Sequence, residues 1–168
     1  SSPPEALTVA DFDRLVAGGA MVIDGRDPDE SAHGHLAGSI NVGLSGRYAE
    51  FAGSVIPHDV DIVLVVDEGF ELEAKNRLAR IGFDRVVGFL QHPYIVMLDH
   101  PDRVRHASRM TAVEFDARRD EIDGLQLVDI RNPSEVALGA IGGATTIPVG
   151  QLPGRLAELD PAAPTVVY

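Results

Sequence analysis

The sequence predicts an α/β fold built as two units, each a parallel sheet flanked by helices on both faces. Three observations predict it. Ile62-Val63-Leu64-Val65-Val66 is an unbroken apolar, β-favouring run, as a strand covered on both sides of a parallel sheet requires. Candidate strands and helices alternate about every 15 to 20 residues, the rhythm of strand–helix–strand crossovers. The order of elements then begins again near Met110, and repetition of this kind fixes an architecture more firmly than any single segment.

Taken in order, Ser1 to Ala6 reads as a Pro-rich leader or a linker from something upstream. Thr8-Val9-Ala10-Asp11 has the spacing of a capping box, opening a helix with Phe12, Leu15 and Val16 on one face and Gly18-Gly19 at its end. Met21 to Asp24 is a short strand. Asp29 to His33 forms a helical turn or two, Gly34 to Val42 returns as a strand, and residues 47–54 form a helix with Tyr48 and Phe51 as core contacts. After the Ile62–Val66 strand, the segment Asp67-Glu68-Gly69-Phe70-Glu71-Leu72 is a tight loop opening a helix that stops at Gly82. Arg85 to Leu90 is the last strand of the unit, and the Pro-containing residues 93–109 are expected to be a linker.

The repeat is ungapped over VIDGRDPDESAHGHLAGSINVG and LVDIRNPSEVALGAIGGATTIP. Asp24/Asp129, Arg26/Arg131, Pro28/Pro133, Glu30/Glu135, Gly34/Gly139 and Gly38/Gly143 are each 105 positions apart. Thr111-Ala112-Val113-Glu114-Phe115 likewise echoes Thr8-Val9-Ala10-Asp11-Phe12. The division that follows is a first unit over 1–92, a linker over 93–109 and a second unit over 110–168.

Bulk properties narrow the function. A formal charge of −12 disfavours nucleic acid and anionic lipid as partners. The absence of cysteine excludes disulfides, thiolate metal sites and thiol chemistry within these residues. No 18-residue apolar run or charged-then-apolar leader occurs, so neither a membrane span nor secretion is indicated and a cytoplasmic location is expected. His33 and His35 with Asp29 lack the further converging ligands of a metal site and are read as loop residues. No metal or cofactor is expected. Arg26 with Glu30 and Arg131 with Glu135 are read as structural ion pairs, or bonds to nearby carbonyls, that tie each loop to the following helix.

With Asp24, Arg26, Glu30, Asp129, Arg131, Glu135 and the glycines in place, both units resemble rhodanese domains, from about Leu7 onward. Their order is similar to the C-terminal region of persulfide dioxygenase–rhodanese fusions, which implies an upstream metallo-β-lactamase-fold dioxygenase domain as a partner in the parent chain. In that family a cysteine after the central strand opens a C-x-x-G-x-R loop that stabilises a persulfide. Here the cysteine position is Asp67 and the loop arginine is Leu72, so the resemblance implies a non-catalytic first unit serving docking or regulation in sulfane-sulfur transfer.

Thr165-Val166-Val167-Tyr168 aligns with the strand ending at Val66, which puts the second unit's cysteine at the next position and leaves that unit incomplete before its catalytic loop. Ile130, Ile147, Val166 and Val167 are then expected to be under-covered, with a second copy of the chain as one way to cover them. The alternative is an independent enzyme using the Asp67 loop, such as a phosphatase-like hydrolase with Asp67 as base or nucleophile.

Overall fold

Ala6–Leu7 (β1) and Val9–Ala17 (α1) open the computed structural model, which describes residues 2–168. Ser1 of the expected leader lies outside the described residues, whereas Ala6 is already part of a sheet. Thr8 caps α1, its hydroxyl accepting from the Asp11 N–H at 3.2 Å. Met21–Asp24 (β2), Pro28–His33 (α2), His35–Leu36 (β3), Ile40–Asn41 (β4) and Tyr48–Val55 (α3) follow. Next come Ile62–Val65 (β5), Glu71–Ala79 (α4), Val86–Leu90 (β6), Pro93–Asp99 (α5) and Val104–Arg105 (β7). These elements belong to a unit that ends at Arg109, and a second runs from Met110 to Tyr168.

The main sheet of the first unit has the order β1-β6-β5-β2-β4, with every pairing parallel. β5 explains why the sheet is covered on both faces. Successive side chains of a strand point to opposite sides. Ile62 and Leu64, with Val66 just beyond, enter a core with Tyr48 and Ala52 of α3 and Ala74 and Leu78 of α4. Val63 and Val65 enter another core with Phe12 of α1 and Val96 of α5. Both faces are apolar because both carry helices.

Three expectations for this unit are corrected. The segment 34–42 is two short strands, because Gly38 takes φ 83° between them, a conformation that suits a residue without Cβ. β4 joins the main sheet while β3 pairs antiparallel with β7. Phe51 is 43% exposed and lies beneath the Arg47 guanidinium, while Tyr48 alone fills the core place expected for both. Residues 93–109 are no linker. Pro93 starts α5, Val96 is buried, and β7 stitches the segment back to the unit.

The second unit contains Ala112–Arg118 (α6), Gln126–Asp129 (β8), Pro133–Val136 (α7), Thr145–Thr146 (β9), Leu152–Arg155 (α8) and Thr165–Val167 (β10). Thr111 and Glu114 form the expected capping box on α6. The strands make a parallel sheet in the order β10-β8-β9. Ile147 is fully buried, contrary to expectation, whereas Val167 is 52% exposed. Ile130 and Val166 are half-buried.

The expected strand alignment is off by one residue. Gly25 N–H donates to the Val65 carbonyl, and Ile130 N–H, 105 positions on, donates to the Tyr168 carbonyl. Tyr168 therefore stands where Val65 does, not Val66. Among the described residues, no helix is long and apolar enough to cross a membrane.

Candidate functional site

The C-terminal ends of β2 and β5 bring together the first unit's site residues. Asp24 ends β2 and Arg26 lies two residues on, in a bend whose Arg26 N–H donates to Asp24 Oδ1 at 3.1 Å. The Arg26 Nε donates to Asp24 Oδ1 at 3.0 Å and Nη2 to Oδ2 at 2.6 Å, while Nη2 also donates to the Gly34 carbonyl at 2.8 Å. Both side chains are almost wholly removed from solvent. Burial opposes the charge on Arg26, but the bonds to Asp24 and its negative charge outweigh it and raise the guanidinium above its ordinary value. The expected bond to a nearby carbonyl is present. The expected bond to Glu30 is not, because Arg26 precedes α2 and the four-residue spacing of a helix does not apply to it.

Glu30 instead faces Tyr94 at the start of α5. The Tyr94 hydroxyl lies 2.7 Å from Asp67 Oδ1 and 2.9 Å from Glu30 Oε2. With one proton it donates to one carboxylate at a time. Its ring covers the Arg26 guanidinium at 5.2 Å. Burial, then the bonds to Asp67 and Glu30, push the phenol above its ordinary range. No sequence signal marks Tyr94 as a site residue, because only the packing of α5 brings it to Asp67, 27 positions away.

The loop at Asp67–Leu72 leads from β5 into α4, with Gly69 at φ 91° making the turn. Its Gly69 N–H faces the Glu71 carboxylate, with 3.0 Å to Oε2 and 3.2 Å to Oε1. The Phe70 N–H donates to the Asp67 carbonyl at 3.1 Å. The turn that could cradle an anion is thus occupied by the chain's own carboxylate and carbonyl. Leu72 is half-buried and adds no charge, and Glu68 is exposed. Arg77, the next arginine on α4, donates to the Leu44 carbonyl and, at 2.8 Å, to the Gly46 carbonyl. A recess of about 240 Å³ beside the loop is lined by Asp27, Asp67 and Glu73 together with Gly25, Leu44, Ser45 and Phe70. Three carboxylates and no cation at its wall disfavour an anionic substrate.

His33 and His35 turn their Nδ1 atoms to the carbonyls of Asp29 and Ser31, and the Asp29 carboxylate pairs with Arg109 at 2.7 Å. They do not converge.

The second unit repeats the arginine geometry. Arg131 Nε and Nη2 donate to Asp129 at 3.0 and 2.6 Å, and Nη2 donates to the Gly139 carbonyl at 2.9 Å. The Tyr168 ring lies 5.2 Å from this guanidinium. The Arg131 bonds hold the Asp129 carboxyl down to about 2, against the opposing effect of burial. Here too the expected glutamate partner is replaced, and Glu135 accepts from the Asn132 N–H at 3.0 Å.

A family profile described as rhodanese-like domain matches residues 8–92, just over half of the chain. The chain belongs to the rhodanese-like domain family. Solved structures of the same fold include thiosulfate sulfurtransferase from Pseudomonas aeruginosa, 23% identical with a TM-score of 0.50, where the match covers 97% of this chain and 35% of that one. The 3-mercaptopyruvate sulfotransferase SseA from Escherichia coli is 12% identical with a TM-score of 0.50, covering 98% of this chain and 87% of that one. The Alr3790 protein from Anabaena is 16% identical with a TM-score of 0.53, covering 68% and 98%. At these identities the likeness is one of fold. Among curated proteins nothing matches the chain. Within this rhodanese-like chain, the Asp24–Arg26 pair ties the end of β2 to the Gly34 carbonyl, beside the end of β5 from which the Asp67 loop emerges.

Proposed function

We propose that the chain is a rhodanese-like region without sulfurtransferase activity of its own, serving docking or regulation in a protein that transfers sulfane sulfur. One observation carries the reading: the Gly69 N–H of the Asp67 loop is already engaged by Glu71. In this reading Asp67 stands at the position of the family's cysteine. A carboxylate cannot carry transferable sulfur as a thiolate does, and the loop offers an incoming anion neither a free turn nor a cation.

Residues 110–168 are, in the same reading, a second rhodanese-like unit. Its support is the shared Asp–Arg–Gly bonding and the sheet order β10-β8-β9, which parallels β5-β2-β4. An upstream dioxygenase domain and a cytoplasmic setting complete the reading. The hydrolase alternative has no comparable support, since Asp67 is tied to the Tyr94 hydroxyl.

A cyanide-to-thiocyanate assay with thiosulfate as donor tests it. The expected result is no turnover above the protein-free rate, and robust turnover by the unmodified chain would overturn the reading.

A further inference from the structure

On the α5 side of the degenerate loop lies a second groove, of about 430 Å³, within the size range of about 300 to 1,000 Å³ typical of ligand sites. Val66 and Leu90, both buried, and Phe89 supply apolar surface where β5 and β6 end. Ile95 of α5 borders it, 55% exposed, and Leu98, one turn on along the same helix face, is 80% exposed. The apolar surface therefore continues beyond the groove along α5. Glu68 and Glu71 stand at the loop border, and no arginine or lysine lines the groove.

We infer that this groove docks a linear segment of a partner protein carrying arginine or lysine beside a bulky apolar side chain. The inference rests on the docking reading above and adds the chemistry of the partner. Apolar anchoring supplies affinity, while Glu68 and Glu71 select the charge and steer its approach. Nucleic acid and anionic lipid meet carboxylates here and a net charge of −12 beyond them. A small polycation would leave the apolar strip along α5 unused.

The test is a fluorescence-polarisation titration of the whole chain with labelled short peptides in which Arg or Lys adjoins Leu, Ile or Phe. Matched controls carry Glu for the basic residue, or Ser for the apolar one. Binding by the parent set is expected, weakened about tenfold or more in either control and by added salt. Ile95→Glu and Glu68→Lys should each weaken the parent peptides about as much, with an unchanged circular dichroism spectrum, and Glu68→Lys should strengthen the Glu-bearing control. Absence of binding by the parent set, indifference to both substitutions, or displacement by spermine as effective as by the apolar-bearing peptides would overturn the inference. None of those results alters the thiosulfate assay, whereas sulfur transfer by the unmodified chain would remove the docking reading whatever the peptides do.

Discussion

Asp67 and Arg26 illustrate two ways in which a single side chain decides this molecule. Replacing Asp67 by Cys installs a thiol but leaves Glu71 on the Gly69 amide and the uncharged Leu72 in place. The D67C variant should therefore stay near background in the cyanide-to-thiocyanate assay, because the charge that develops at sulfur remains unstabilised. Arg26→Ala strands the Asp24 carboxylate in the interior and should cost about 3 to 5 kcal/mol in urea unfolding. Arg131 has a 32% exposed side chain, so Arg131→Ala, in which water reaches the abandoned Asp129, should cost less.

The depressed Asp129 carboxyl also gives a pH signature. Its contribution to stability is full above the ordinary carboxyl value of 3.8 and is lost as the pH falls toward about 2. Side-chain carboxyl NMR should find Asp129 titrating near the lower value, and an ordinary value there would contradict the bonding described.

At the scale of elements, β5 serves both cores and is buried along its whole length. Leu64→Ala should destabilise by about 2 to 5 kcal/mol, the range for deleting a fully buried leucine, with the urea midpoint as the measure. Tyr94→Phe removes the hydroxyl that reaches Glu30 and Asp67. It should speed amide exchange in α5 and the Asp67 loop while leaving β5 protected.

These elements were not equally legible. β5 announces itself as an apolar run and reads directly from the sequence, whereas α4 ends at Ala79, three residues before the expected Gly82, which at φ 90° closes the turn that follows the helix. α5 does not read from the sequence, because it is seven residues long, begins at a proline after His92 at φ 47°, and exposes Ile95 and Leu98. Its apolar residues therefore lack the one-sided spacing that identifies a helix. The arginines read as structural from the sequence, but helical spacing does not give their partners, because each lies in the bend between a strand and the following helix. The misaligned Tyr168 has a similar origin. Asp24 pairs with Val65 across 41 positions and its counterpart Asp129 with Tyr168 across 39, and nothing local in the sequence encodes the lengths of loops between strands.

Across the whole molecule, apolar burial is uneven. Of the twenty-four hydrophobic residues buried among those described, four lie in the second unit, namely Phe115, Leu127, Val128 and Ile147. Local opening free energies follow buried apolar contact. Backbone amides of β8 should consequently exchange faster than those of β5 in hydrogen-exchange mass spectrometry. Equal protection of the two strands would mean that the second unit draws stability from somewhere other than its own core.

The pairing of Ala6 and Leu7 with Phe89 and Leu90 has a consequence for synthesis on the ribosome. β1 is made first and β6 last among the main-sheet strands of this unit, yet they are neighbours, and β6 alone separates β1 from β5. Until residue 90 has left the exit tunnel, β1 has no sheet to join and one edge of β5 is bare. Contacts this distant in sequence form slowly, and unpaired strands are prone to association while they wait. The early chain thus depends on its late chain for closure, and a pause in translation before Val86 would hold it in its most vulnerable form.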